Sequence, residues 1–290
     1  MNIFSKLINK IKTRLINYVN KNTAPDYLYK FFFDFDSEKG IKKIKSKKNL
    51  FIIEESFQNS SLSWSFPSSL KERGRKCYLK GLEFRSKQIG QDYLLNNIEF
   101  EDEDLVIDCG ANLGDLYLYL NLLNYKINYF GIEPGKGEFE ALEYNTKNKE
   151  TLIKSELFNI AFGKDNSKME LFYSPSKANS SLIEPPDFET KYQIDVQTID
   201  QFIMKNKLKG KKIKLLKLEA EGYEPEILQG LINNLENINY ISADVGPERG
   251  LLNQCTVVEV TNFLISKNFK LIDFGCPRIT SLYKNNLFDY

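Results

Sequence analysis

The run Leu105-Val106-Ile107-Asp108-Cys109-Gly110-Ala111-Asn112-Leu113-Gly114 constrains this chain more than any other segment, because an apolar stretch ends in an acid and breaks into a glycine-spaced turn. A strand buried on both faces of a parallel sheet reads as such a continuous apolar run. The apolar stretch Leu116 to Leu123 then suits a helix packed on that sheet. Gly110 and Gly114 let the backbone adopt positive φ or approach a ligand closely. Asp108 falls at the carboxyl end of the strand, where open α/β sheets bind ligands. The segment therefore reads as a nucleotide-type cofactor turn.

Spacing separates the cofactors. A dinucleotide fingerprint G-x-G-x-x-G from Gly110 needs glycine where this chain has Asn112 and Asp115, so the turn is D-x-G-x-N-x-G instead. A second strand, Ile127 to Ile132, ends in Glu133-Pro134. A carboxylate at that strand tip, about twenty residues on, can accept hydrogen bonds from two ribose hydroxyls.

From residue 100 onward, strand and helix alternate as in a doubly wound sheet. Strands are expected at 104–108, 127–133, 155–161, 213–219 and 238–245, and a last helix at Thr256 to Lys267. Phe269 to Gly275 and Arg278 to Tyr283 read as a closing pair of strands, and Lys168 to Tyr173 with Tyr192 to Thr198 as an inserted hairpin. The lysines at 205, 207, 209, 211, 212 and 214 read as a solvated edge.

Leu215-Leu216-Lys217-Leu218-Glu219-Ala220-Glu221-Gly222-Tyr223-Glu224 repeats the pattern of apolar strand, acids and glycine, and Pro225 suits the first turn of a helix. The succession D-x-G-A-N-x-G, then E-P, then K-[IL]-[DE]-x-E-G-x-E before a helix resembles the FkbM-type methyltransferases, and Asn159 to Asp165 is similar to that family's third strand end. One departure is Glu219, where the family has Asp. The resemblance implies a class I, Rossmann-like fold: a doubly wound, mostly parallel seven-stranded sheet with an antiparallel last strand. It implies S-adenosyl-L-methionine as co-substrate, with Asp108, Gly110, Ala111, Asn112 and Gly114 at its amino-acid end. Glu133 and Pro134 then face the ribose, and Asn159 and Ala161 the adenine. It further implies methylation of oxygen, on sugars of surface glycans or on natural products.

Histidine is absent, which excludes Ser-His-Asp and Cys-His nucleophilic systems and zinc sites that need imidazole. A base must come from Asp, Glu, Lys or Tyr, and Glu219, Glu221 and Asp244 at strand tips are the candidates. For Glu221 the alternative is a helix cap, and for Asp244 a simple chain turn. Glu219 and Asp244 offer oxygens suited to Mg²⁺, but their spacing demands no metal. Forty basic against 39 acidic residues give no electrostatic case for nucleic acid. A nucleic-acid amino-methyltransferase would carry Asn/Asp-Pro-Pro-aromatic after the strand ending at Glu219, and Glu184-Pro185-Pro186-Asp187-Phe188 precedes that strand. A dehydrogenase on the same sheet, or a cofactor-binding scaffold without turnover, remains as an alternative.

The four separated cysteines suggest neither a disulfide framework nor zinc, so a cytoplasmic setting is expected. No apolar run reaches the ~18 residues of a membrane span. Residues 3–19 form a basic amphipathic stripe suited to the inner face of a membrane, to self-association or to packing on the domain. Residues 1–100 are taken as an N-terminal extension with this helix and an acceptor-side lid, and 101–290 as the cofactor-binding domain. Within the extension, 34–50 reads as a solvated loop or helix and 56–70 as a Ser-rich loop carrying Phe57, Trp64 and Phe66, either an anchored surface loop or an aromatic wall for an acceptor.

Overall fold

The structure, a computed structural model, describes residues 41–47, 50–57, 60–67, 77–78, 80–147, 151–175 and 179–288. The stripe at 3–19 lies outside the described residues.

The described residues begin with an antiparallel sheet of three strands, β1 (Ile41–Lys47), β2 (Leu50–Phe57) and β3 (Ser60–Pro67). This corrects the loop reading of 56–70 and the described part of 34–50. Leu62, Trp64 and Phe66 alternate with serines, the period of a strand with one buried face. All three are buried in the same cluster as Leu113, Leu116 and Tyr117, so Trp64 and Phe66 fill core and line no acceptor cleft. The next element is helix α1 (Leu82–Asp92), whose first free N–H, that of Leu82, is accepted by the Glu55 carboxylate at 2.6 Å.

The main unit then alternates: β4 (Leu105–Cys109), α2 (Asp115–Leu123), β5 (Asn128–Ile132), α3 (Lys136–Thr146), β6 (Lys154–Phe158). A three-stranded insertion follows, from β7 (Ala161–Phe162), β8 (Ser167–Tyr173) and β9 (Thr190–Gln197). After α4 (Ile199–Lys205) come β10 (Ile213–Leu218), α5 (Glu224–Gln229), β11 (Ile238–Asp244) and a short hairpin of β12 (Pro247–Arg249) and β13 (Gln254–Cys255). Helix α6 (Val257–Ser266), β14 (Phe269–Phe274) and β15 (Thr280–Asn285) close the chain.

The central sheet has seven strands in the order β14-β15-β11-β10-β4-β5-β6. β15 runs antiparallel to both its neighbours, and the pairings among β11, β10, β4, β5 and β6 are parallel. Side-chain alternation divides the core. Val106 joins the layer of α1, α2 and α3, while Leu105 and Ile107 join that of α4, α5 and α6. The strand order reverses between β4 and β10, and a crevice opens beyond their carboxyl ends. Lys214, expected on the solvated edge, is instead buried within β10, its ammonium 3.6 Å from the Asp104 carboxylate.

Candidate active site

The turn after β4 is held from both sides. The N–H groups of Gly110 and Ala111 bond the Ile132 carbonyl at 3.0 and 2.9 Å, and Gly110, Asn112 and Gly114 all have positive φ. Gly110 admits no side chain, because a Cβ there would collide with the carbonyl oxygen of Glu219. Asn145 of α3 bonds Leu113 O at 2.8 Å and Ser65 O at 2.9 Å, so the N-terminal sheet buttresses the turn.

Two clefts meet at this turn. One, of about 680 Å³, is walled by Gly110, Asn112, Glu133, Pro134, Ala161 and Tyr223. The other, of about 1640 Å³, is walled by α1 through Arg85, Gln88 and Asp92, and by Ala111, Pro185, Glu248 and Arg278. Gly110, Asn112, Ser181, Glu219 and Glu221 border both. Of the residues expected to bind cofactor, Gly110, Ala111, Asn112, Glu133, Pro134 and Ala161 therefore reach a cleft wall. Asp108, Gly114 and Asn159 support the wall from behind it. Asp108 is fully buried and accepts from Lys217 Nζ at 2.9 Å and Tyr129 OH at 2.6 Å. The Asn159 amide donates to Glu133 O at 2.8 Å, fixing the tip of β5.

Glu133 Oε2 accepts the Asn112 N–H at 2.8 Å and Oε1 that of Gly135 at 2.7 Å. Each oxygen keeps a further lone pair. Burial, and then the neighbouring Glu138, push this carboxyl up to about 8 despite those bonds.

The three candidate bases have different surroundings. Burial raises the Glu219 carboxyl, but Lys217 at 2.9 Å and the adjoining Arg278 outweigh it and hold the group well below the usual carboxylate range. Asp244 is buried, accepts from Gly246 N–H at 3.1 Å and lies 2.6 Å from Arg278 Nη2. Arg278 thus bridges Glu219 and Asp244, so a cation of the chain itself occupies the place between the two carboxylates that suited Mg²⁺. Among the described residues no cluster of three or more His, Cys, Asp or Glu could hold a metal ion.

Glu221 is different. It has a φ of 50°, and its carbonyl accepts from Ser181 Oγ at 3.0 Å. Its carboxyl is pushed well above the usual range by burial and then by Glu248. The helix-start role belongs to Glu224, which accepts from Ala220 N–H at 2.8 Å and Gly222 N–H at 3.3 Å. Burial raises Glu224 to about 7.

Sequence reasoning assigned no role to Lys217, Arg278, Ser181 or Arg85. Lys217 left a signal, since a lysine inside an apolar parallel strand requires a buried partner. Arg278 left none, because only the return of β15 beside β11 brings it to the tips of β10 and β11.

A doubly wound sheet with a glycine turn at its switch point and an acid at the next strand tip defines a class I methyltransferase fold. The profile of the methyltransferase FkbM domain matches residues 108–274. The chain belongs to that family of S-adenosylmethionine-dependent methyltransferases. It is 22% identical over 147 residues to a hexuronic acid methyltransferase of Haloferax volcanii, covering 51% of this chain and 58% of the relative. It is 21% identical over 169 residues to methyltransferase 1 of Beauveria bassiana, covering 52% of this chain and 67% of the relative. A solved magnesium protoporphyrin IX methyltransferase from Synechocystis PCC 6803 superposes with a TM-score of 0.41 at 10% identity, over 71% of this chain and 79% of that one. Among the described residues no helix is long and apolar enough to cross a membrane.

Proposed function

We propose that this chain methylates an oxygen of a sugar, in the assembly of a surface glycan or natural product, with S-adenosylmethionine as donor. The observation that carries the reading is the junction of the two clefts at Gly110, Asn112, Ser181, Glu219 and Glu221. The narrower cleft fits the donor. Its cradle admits no Cβ at Gly110, and Glu133 retains lone pairs for two ribose hydroxyls. Bound there, S-adenosylmethionine supplies an electrophilic methyl group on a positively charged sulfur.

The wider cleft suits a polyhydroxylated acceptor. Gln88, Asp92, Glu248 and Asn253 present polar side chains to it from α1 and the β12–β13 hairpin. Methyl transfer is an in-line displacement, so holding the acceptor hydroxyl in line supplies most of the acceleration. Glu221 takes the hydroxyl proton. Glu219, held ionised by Lys217 and Arg278, has too little proton affinity for that role, and Asp244 is occupied by Gly246 and Arg278. The hexuronic acid methyltransferase relative supports a sugar acceptor. No nucleic acid enters this reading, and the chain works in the cytoplasm, with residues 3–19 as a contact for the inner membrane face or for a second copy.

The test is transfer of radiolabelled methyl from S-adenosylmethionine to neutral hexoses, uronic acids, amino sugars and RNA offered in parallel. Alkali-stable label in a sugar is expected. Label in RNA alone would overturn the acceptor class.

A further inference from the structure

The first turn of α3 brings a second acid to the donor cleft. Glu138 is 4% exposed and lines the narrower cleft together with Glu133 and Pro134. Gly135 leaves the space between the two acids, since a Cβ there would collide with Glu138 Oε2 and lie 2.9 Å from Glu133 Oε1. The two carboxyls are therefore neighbours on one wall.

The inserted sheet holds Glu138 in place. Tyr173, the last residue of β8, donates its hydroxyl to Glu138 Oε2 at 2.9 Å and accepts the Gly137 N–H at 3.3 Å. A Cβ on Gly137 would lie 2.8 Å from that hydroxyl, so this approach also depends on glycine. On β9, Tyr192 accepts the Lys136 N–H at 3.1 Å, and its ring meets that of Tyr173 edge-on with centroids 5.4 Å apart. These contacts engage Oε2 and leave Oε1, which is buried and has no hydrogen-bond partner among the described residues. A buried carboxyl oxygen without a partner forfeits its hydration with nothing in return. The cleft is the side from which a partner can enter.

We propose that Glu138 is a second binding residue for the donor's ribose, its Oε1 bonded to one hydroxyl of the diol that Glu133 also grips. Its place beside Glu133 points to the ribose. Burial raises the Glu138 carboxyl above its usual range, and a ribose hydroxyl, which both donates and accepts, satisfies Oε1 in either protonation state. Tyr173 is the positioning residue, because by occupying Oε2 it leaves Oε1 for the ligand. The insertion thereby takes part in donor binding.

This role rests on the S-adenosylmethionine reading of the narrower cleft. Calorimetry of the wild type, Glu138→Ala and Glu138→Met with S-adenosylhomocysteine and its 2′-deoxy and 3′-deoxy analogues tests it. Glu138→Ala should weaken S-adenosylhomocysteine by about fivefold to tenfold, the scale of one hydrogen bond. For one of the two deoxy analogues the same substitution should cost less than about twofold, because the hydroxyl that Glu138 holds is already gone. Glu138→Met keeps the length of the side chain without its oxygens, and carries the comparison if the alanine variant does not fold. Substitutions that weaken all three ligands by the same factor, or weaken none of them, overturn the role. Wild-type protein that binds none of the three removes the S-adenosylmethionine reading itself, and this role with it.

Discussion

Replacing Lys217 by Met removes a buried cation that bonds Asp108 at 2.9 Å, Glu219 at 2.9 Å and the Gly110 carbonyl at 3.0 Å. Glu219 keeps Arg278, but Asp108 is left in the core with only the Tyr129 hydroxyl at 2.6 Å. Breaking a buried pair from one side costs about 3–5 kcal/mol, and at about 2–4 °C per kcal/mol the melting temperature should fall by ~6–20 °C at pH 7. The loss should depend on pH. In the wild type, burial lowers the Lys217 ammonium but Asp108 and Glu219 outweigh it and raise it above its ordinary value. Its contribution is therefore complete below about pH 10.5 and vanishes only as pH rises through the raised folded value. Burial already raises Asp108 in the wild type despite Lys217, and in the variant nothing cationic opposes that rise, so the deficit should grow as pH climbs above the unfolded value of about 3.9. Thermal melts between pH 4 and pH 8, with Lys217→Met/Asp108→Leu as the partner double variant, provide the assay. The double variant should recover stability relative to the single one, since the uncompensated charge is gone. A Lys217→Met protein that melts within about 2 °C of wild type at pH 7 would refute the buried-pair account.

Glu221→Gln should lower methyl transfer by ~10²–10⁴ with cofactor affinity nearly unchanged, as expected for loss of a proton acceptor, and single-turnover kinetics with an accepted sugar checks this. Gly110→Ala should add about 1–3 kcal/mol of backbone strain, before the collision with Glu219 O is counted, and weaken S-adenosylhomocysteine at least about tenfold by calorimetry. Glu133 and Glu248, raised to about 8, and Glu224, raised to about 7, bind more protons folded than unfolded. Their effect is thus to reduce stability as pH rises from about 4.5 to those folded values. Glu133→Gln should flatten that fall in denaturant titrations at pH 5, 6.5 and 8.

The central sheet was legible because parallel strands buried on both faces leave apolar runs, unbroken in Leu105 to Ile107 and interrupted by Lys217 alone in Leu215 to Leu218, each followed by an acid and a glycine turn. Glu133 could be placed for the same reason, whereas the closing strands, antiparallel and with β14 largely exposed, were marked by the Gly275-Cys276-Pro277 turn between them. The N-terminal sheet was hidden by composition. Its serines suggest a loop, although Leu62, Trp64 and Phe66 hold the two-residue period of a strand. The roles of the acids could not be read from their strand-tip positions. Glu219, Glu221, Glu224 and Asp244 look alike in sequence, and only their partners distinguish them: Lys217 and Arg278, the open cleft, the turn N–H groups, and Gly246 with Arg278. Those partners come from segments up to 59 residues away, as in Arg278 on Glu219.

Calorimetry of the wild-type chain and Glu133→Ala with S-adenosylmethionine, S-adenosylhomocysteine and NAD tests the central claim most directly, because it asks what the cleft between Gly110 and Glu133 holds. The account predicts one-to-one binding of both adenosyl ligands and none of NAD. It also predicts weaker binding by Glu133→Ala, by about 1.5–3 kcal/mol above about pH 8, where the carboxyl is ionised and accepts as a charged group, and by less at pH 7. Tight binding of NAD with no heat from S-adenosylhomocysteine would contradict it.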